Sequence, residues 1–173
     1  MSDSKSLEAQ LKEMIEEALE LRYGTAGDPD GTLDLPPSSS SQQDVLDTLL
    51  RARARADRLE EIYARLIRTR ADGNRRFTLA KATAQEAWNE HLGQQRRAGV
   101  RRGGEFEGPK ERYAEADLAT LSQQREQRAA ERLVSQIEEA LDVVKLAHRS
   151  LDGFRQDVLA ILRSYAFESH LER

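Results

Sequence analysis

The sequence predicts an all-α protein: a long antiparallel two-helix hairpin, drawn out as a coiled-coil stalk, with a short N-terminal helix packing on its base to form a three-helix bundle. Three observations predict it. From Leu133 to Tyr165 an apolar residue recurs at alternating steps of four and three, through Leu133, Ile137, Ala140, Val144, Ala147, Leu151, Phe154, Val158, Ile161 and Tyr165. That spacing keeps one stripe of a helix turned toward a partner. A second stripe in the same spacing runs from Val45 to His91, and a glycine-rich stretch lies between the two. Hydrophobic residues are 38% of the chain against 34% charged, so burial must run in stripes and not through a thick globular centre.

The first helix is expected over about Ser6 to Arg22, where Leu7, Leu11, Met14, Ala18 and Leu21 form one face and glutamates fill the other. Ser4 or Ser6 can cap its start, and Gly24 just past the last periodic residue stops it. Residues 1–23 thus form an N-terminal amphipathic helix. Residues 24–43 combine Gly, Pro, Asp and Ser with only two leucines, a composition that buries too little to offset its ordering entropy and reads as a flexible linker.

The hairpin occupies residues 44–173. Its first helix, 44–97, opens near Ser41, with Asp44 placed as a capping-box partner. The stripe Val45, Leu49, Ala52, Ala56, Leu59, Tyr63, Leu66 continues in phase through Arg70, Gly73, Phe77, Ala80, Ala84, Ala87 and His91. Because the phase survives Gly73, one unbroken helix is expected, with the glycine costing about 1 kcal/mol relative to alanine. Residues 98–108, with four glycines, make the turn. Pro109 suits the first position of the next helix, 109–172. Upstream of Ala130 its apolar line slips by four-residue steps, which changes the local winding.

Folding about residue 103 sets Leu133 to Tyr165 against residues 41–73, the apolar halves of both helices. Leu46, Leu50, Ile62 and Ile67 flank one stripe, and Leu141, Val143, Leu146 and Leu162 flank the other. Two helices alone leave these exposed. The acidic N-terminal helix has the length and charge to cover part of them.

The net charge of −4 conceals a segregation. Residues 1–44 carry 10 acids and 3 bases, residues 45–112 carry 10 and 16, and residues 113–173 carry 11 and 8. Arg96, Arg97, Arg101, Arg102 and Lys110 gather at the turn, with Gly103 and Gly104 allowing close approach of a phosphate and Phe106 available to stack on a base. This tip is the candidate site for nucleic acid or a partner protein. A second basic stripe, Arg51, Arg58 and Arg65 every seven residues, is expected to pair with glutamates of the neighbouring helices or to be solvated.

For catalysis the sequence offers no constellation. His91, His148 and His170 are far apart, no HExxH spacing occurs, and the paired acids Glu60-Glu61 and Glu138-Glu139 lie on adjacent helix faces. His91 and His148 read as buried, hydrogen-bonded packing residues. No catalytic residue, cofactor or metal ligand is expected. With no cysteine, disulfides and thiolate metal sites are excluded. No apolar run is long enough to cross a bilayer, so the chain reads as cytoplasmic, without a membrane partner. Arginine outnumbers lysine 22 to 5, a bias of GC-rich codons that fits a bacterial or phage source.

Tyr113 and Asp117 form a Tyr-x-x-x-Asp spacing similar to a secretion signal of some actinobacterial helical-hairpin substrates. The Trp-x-Gly turn that accompanies it there is absent, since Trp88 is followed by Asn89-Glu90, and no family is assigned.

The functional expectation is a non-enzymatic coiled-coil scaffold or adaptor that binds protein partners, with the alternative of a nucleic-acid-binding accessory protein using the Arg-rich tip. The seam available for helix packing or self-association is Leu7, Leu11 and Met14 together with Leu133, Ile137, Val144, Leu151, Phe154, Val158, Ile161 and Tyr165. A homo-oligomer is expected because the N-terminal helix, on its linker, can pack on its own chain or a neighbour's.

Overall fold

The computed structural model describes residues 2–23, 33–37, 39–101 and 109–171, and among these it contains four helices and no strand. They are α1 (Ser2–Tyr23), α2 (Gln42–Arg101), α3 (Pro109–Ala119) and α4 (Leu121–Leu171). The described residues group into two units, one drawn from Met1–Arg68 and Ile137–Arg173, the other from Thr69–Gln136.

In the first unit α1, α2 and α4 pack on one another. α1 begins at Ser2, four residues before the expected start at Ser6, so Ser4 and Ser6 lie inside the helix and do not cap it. Leu11, Met14 and Ala18 of α1 are buried, and Leu7 is half-buried. α2 starts where the sequence places it. The Ser41 amide and hydroxyl both donate to Asp44 Oδ2, at 2.9 and 2.7 Å, while the Asp44 amide donates back to Ser41 Oγ at 3.2 Å. This reciprocal cap satisfies donors that the first helical turn leaves without intrahelical partners. The Ser41 side-chain hydrogen bond, then its backbone N–H, lowers the Asp44 carboxyl below its ordinary 3.8.

α1 docks along one edge of α2 in the antiparallel sense. Arg58 Nε donates to Glu17 Oε1 at 2.6 Å, and Arg55 Nη1 donates to the Leu21 carbonyl at 3.4 Å, so residues later in α1 meet residues earlier in α2. Arg58 also donates to Glu61 at 2.6 Å, and these bonds, Glu17's first, raise its guanidinium above its ordinary value. Ile62 lies one turn beyond Arg58 on that edge and is fully buried. A two-helix pair would leave it in water; burying such a side chain contributes about 1.5–3 kcal/mol.

On α4 the stripe turns inward as a continuous face. Ile137, Ala140, Val144, Ala147, Leu151 and Val158 are buried, and Phe154, Ile161 and Tyr165 are half-buried. Opposite them Val45, Ala52, Ala56, Leu59 and Leu66 of α2 are buried. Tyr165 donates its hydroxyl proton to the Ser40 carbonyl at 2.6 Å, and His148 Nε2 lies 3.6 Å from Glu60 Oε1. Both pairs are centred on about residue 103, the register that the apolar stripes dictate. Tyr63 departs from its expected place in the stripe, remaining 37% exposed.

In the second unit α2 pairs with α3 and the beginning of α4. α2 runs through Gly73 without a break, and Gly73 is itself buried. The buried side chains here are mostly small: Ala84, Ala116 and Thr120, with Leu133. Such residues let two helix backbones approach closely but bury little apolar area. Larger apolar side chains point outward, Leu79 at 70% exposure and Leu118 at 72%. Gln95 Nε2 donates to Glu115 Oε2 at 2.6 Å, which fixes the antiparallel pairing in this unit.

The single helix expected over 109–172 is divided at Thr120 into α3 and α4. The main-chain ladder carries on across the division, with Thr120 N–H donating to the Ala116 carbonyl and Gln124 N–H to the Thr120 carbonyl, both at 3.0 Å. What differs is the Thr120 hydroxyl, buried and donating to the same Ala116 carbonyl at 2.8 Å. A hydroxyl that competes for the i−4 carbonyl bends a helix. The division lies within the stretch where the apolar phase slips.

Candidate functional site

In each unit α2 forms a groove with its partner helix. In the first unit the groove has a volume of about 260 Å³ and is lined by Leu59, Glu60 and Tyr63 of α2 and by Val144, Lys145, His148 and Arg149 of α4. It lies on the other edge of α2 from α1, because Glu60 and Tyr63 sit on the helix face opposite Arg58 and Ile62. Leu59 and Val144 form its floor. Tyr63 stands at its margin, 37% exposed, and Ile67, one turn further along α2, is 40% exposed. His148 bridges the mouth, with Nε2 3.6 Å from Glu60 Oε1 and Nδ1 3.1 Å from Asp152 Oδ2. Its side chain is 32% exposed, so the buried packing role expected for it does not hold; its place at the border of the stripe turns the ring toward the carboxylates and water.

In the second unit the groove is larger, about 410 Å³, and polar, with Lys81, Gln85 and Trp88 on one wall and Asp117, Gln124 and Arg128 among the residues of the other. Its organising residue is Trp88. The indole N–H donates to Asp117 Oδ1 at 3.1 Å, which also accepts from Gln124 Nε2 at 3.4 Å. The ring stacks on Tyr113, centroids 5.7 Å apart and planes 23° from parallel. Offset stacking of this kind stabilises a pair beyond its buried area. Sequence reasoning did not single out Trp88 as a site residue. The signal that could have found it is the four-residue spacing of Tyr113 and Asp117, which sets both on one face of α3 where a side chain of α2 can reach them. His91 is half-buried beside this cluster, its Nε2 3.2 Å from Gln95 Nε2.

The residues proposed for the tip divide. Arg96 and Arg97 are exposed near the end of α2. Arg101 and Lys110 have helical backbone, but their side chains lie outside the described residues, as do Arg102 and Phe106 altogether. The helix 2 arginine stripe is engaged at Arg58 through Glu17 and Glu61.

Among the described residues no group of three or more His, Cys, Asp or Glu is gathered where a metal ion could be held. No described helix is long and apolar enough to cross a membrane. No family model matches the chain, and no curated protein or solved structure is similar to it.

Proposed function

We propose that the protein is a non-enzymatic scaffold or adaptor that binds other protein chains by coiled-coil-type helix packing, through the edge of α2 and α4 that α1 leaves open. The observation that carries this reading is the apolar floor of Leu59 and Val144 with Tyr63 partly in water at its margin, opposite the edge on which α1 sits, and with Ile67 exposed one turn further along α2. A helix laid into such a groove would bury the Tyr63 side chain and complete the cover of α2. Within the second unit, Leu79 and Leu118 are separate apolar side chains exposed to water. Self-association through these surfaces belongs to the same proposal, as does a cytoplasmic setting, which the absence of cysteine suits.

The test is a photo-crosslinking residue at position 63 in the full chain, with position 139, exposed on α4 outside the groove, as the control. Partner or second-copy adducts at 63 and not at 139 support the reading; equal labelling, or none at either position, contradicts it. Light scattering on the same protein separates self-association from a different partner.

A nucleic-acid role for the end of α2 is the second reading, favoured by Arg96 and Arg97, which are exposed and form no ion pair with another described residue. It requires binding that weakens steeply with salt and is lost when Arg96, Arg97, Arg101 and Arg102 become glutamine.

A further inference from the structure

The groove of the second unit has an aromatic end and a cationic end. Trp88 forms the first. Its indole is half-buried, its N–H is given to Asp117 Oδ1 at 3.1 Å, and Tyr113, stacked on it, lies outside the lining. The ring is therefore held in one orientation before any ligand arrives, which removes part of the entropy cost of binding against it. Two helical turns before Trp88, about 10 Å along α2, stands Lys81. The antiparallel register set by Gln95 and Glu115 brings Arg128 of the facing helix level with it. Between the two ends lies Ala84, buried, whose small side chain leaves the groove open above it.

The charges along the groove are not equivalent. Asp117 accepts from both the Trp88 indole and Gln124, so its charge is engaged. Lys81 and Arg128 are exposed, and neither forms an ion pair or a hydrogen bond with another described residue. A guanidinium and an ammonium on facing walls suit an oxyanion, the first by its paired donors and the second as a point charge. Glu131, one turn past Arg128, sets a carboxylate beyond the cations and so favours an anion between them over one farther along α4.

We propose that this groove binds a small organic anion, a planar ring carrying one phosphate or carboxylate group. The ring lies against the side of Trp88 that Tyr113 leaves open, and the anionic group sits between Lys81 and Arg128. The groove's volume of about 410 Å³ is in the range of pockets that hold such molecules. The site uses residues of the second unit alone and stands independently of the partner surface proposed for the first.

Trp88 is the chain's single tryptophan, so its emission in the full-length protein reads the aromatic wall without a label. The experiment is a titration at low ionic strength with four probes: adenosine monophosphate, phenylbutyrate, adenosine and inorganic phosphate. A saturable change with adenosine monophosphate or with phenylbutyrate is expected, the pair separating a phosphate ligand from a carboxylate one. Adenosine, a ring without the charge, and phosphate, a charge without the ring, should both bind more weakly. Lys81→Gln and Arg128→Gln should each weaken binding about two- to five-fold, the scale of exposed charge interactions, while leaving the melting temperature unchanged. Calorimetry with the same probes detects binding that leaves the emission unaltered. No saturable binding of either ring anion by both methods, equal binding of adenosine or of inorganic phosphate, or affinity unmoved in the double variant overturns the site.

Discussion

Replacing Ile62 by alanine separates a three-helix unit from a bare pair of helices by the sign of its effect. Ile62 is fully buried although it lies beside the α2 stripe and not in it, on the edge where Arg55 and Arg58 meet α1. Truncating a fully enclosed isoleucine removes its transfer free energy and leaves a cavity, together about 2–5 kcal/mol, and a position between helices with well-packed neighbours sits near about 3. Were α1 not seated there, Ile62 would project into water. Alanine, the better helix former, would then stabilise the chain by a few tenths of a kcal/mol. The assay is urea unfolding of the full chain followed by far-ultraviolet circular dichroism, with Leu50→Ala, at a site 62% exposed, as the control. The control should stay within about 0.5 kcal/mol of wild type. An Ile62→Ala loss no larger than the control's would refute the packing of α1 on that edge.

Asp44→Asn removes a carboxylate that Ser41 holds below its ordinary 3.8. Since the folded value is the lower one, the stabilisation is fully present above 3.8 and disappears as the pH falls through the folded value, so melting curves of variant and wild type should differ at neutral pH and converge in strong acid. In the second unit, Ala116→Leu places a large side chain where the native one is fully buried, and a loss of about 1–3 kcal/mol in denaturant unfolding is expected from overpacking. Gly153→Ala should raise stability by about 0.5–1 kcal/mol, measured in the same way, because the added methyl meets nothing within 4 Å and the residue lies inside α4.

The parts of the fold legible in the sequence are those set by local spacing. A four-three repeat is the geometry of one helix face, so the inward line from Ile137 to Val158 could be read without knowing its partner. The same holds for the Ser41–Asp44 cap, whose two members are three residues apart. Ile62 and Leu141, read as flanking residues in need of cover, are buried at 0% and 3% exposure. Pairings that the chain brings together from far apart left weaker traces. Trp88 and Asp117 are separated by 29 positions, and the spacing of Tyr113 and Asp117 marks a shared face of α3 without saying which side chain of α2 meets it. The division at Thr120 escaped because a threonine fits a helix pattern; its hydroxyl's hydrogen bond to the Ala116 carbonyl depends on the rotamer, which a sequence does not carry. His148 and Tyr63 lie at or near the stripe yet remain partly in water, because α1 covers one edge of α2 and leaves the other open.

The central claim is that α2 is paired with α4 in the first unit, and with α3 in the second, in antiparallel register about residue 103. Intrachain cross-linking tests it most directly, and the chain's lack of cysteine allows pairs to be introduced cleanly. Cysteines at 60 and 148, and separately at 95 and 115, replace side chains whose polar atoms lie 3.6 and 2.6 Å apart. A short bismaleimide should join each pair within one chain, while 60 with 155 and 95 with 122 should stay unlinked. Equal linking of the shifted pairs, or products joining only separate chains, would contradict the account.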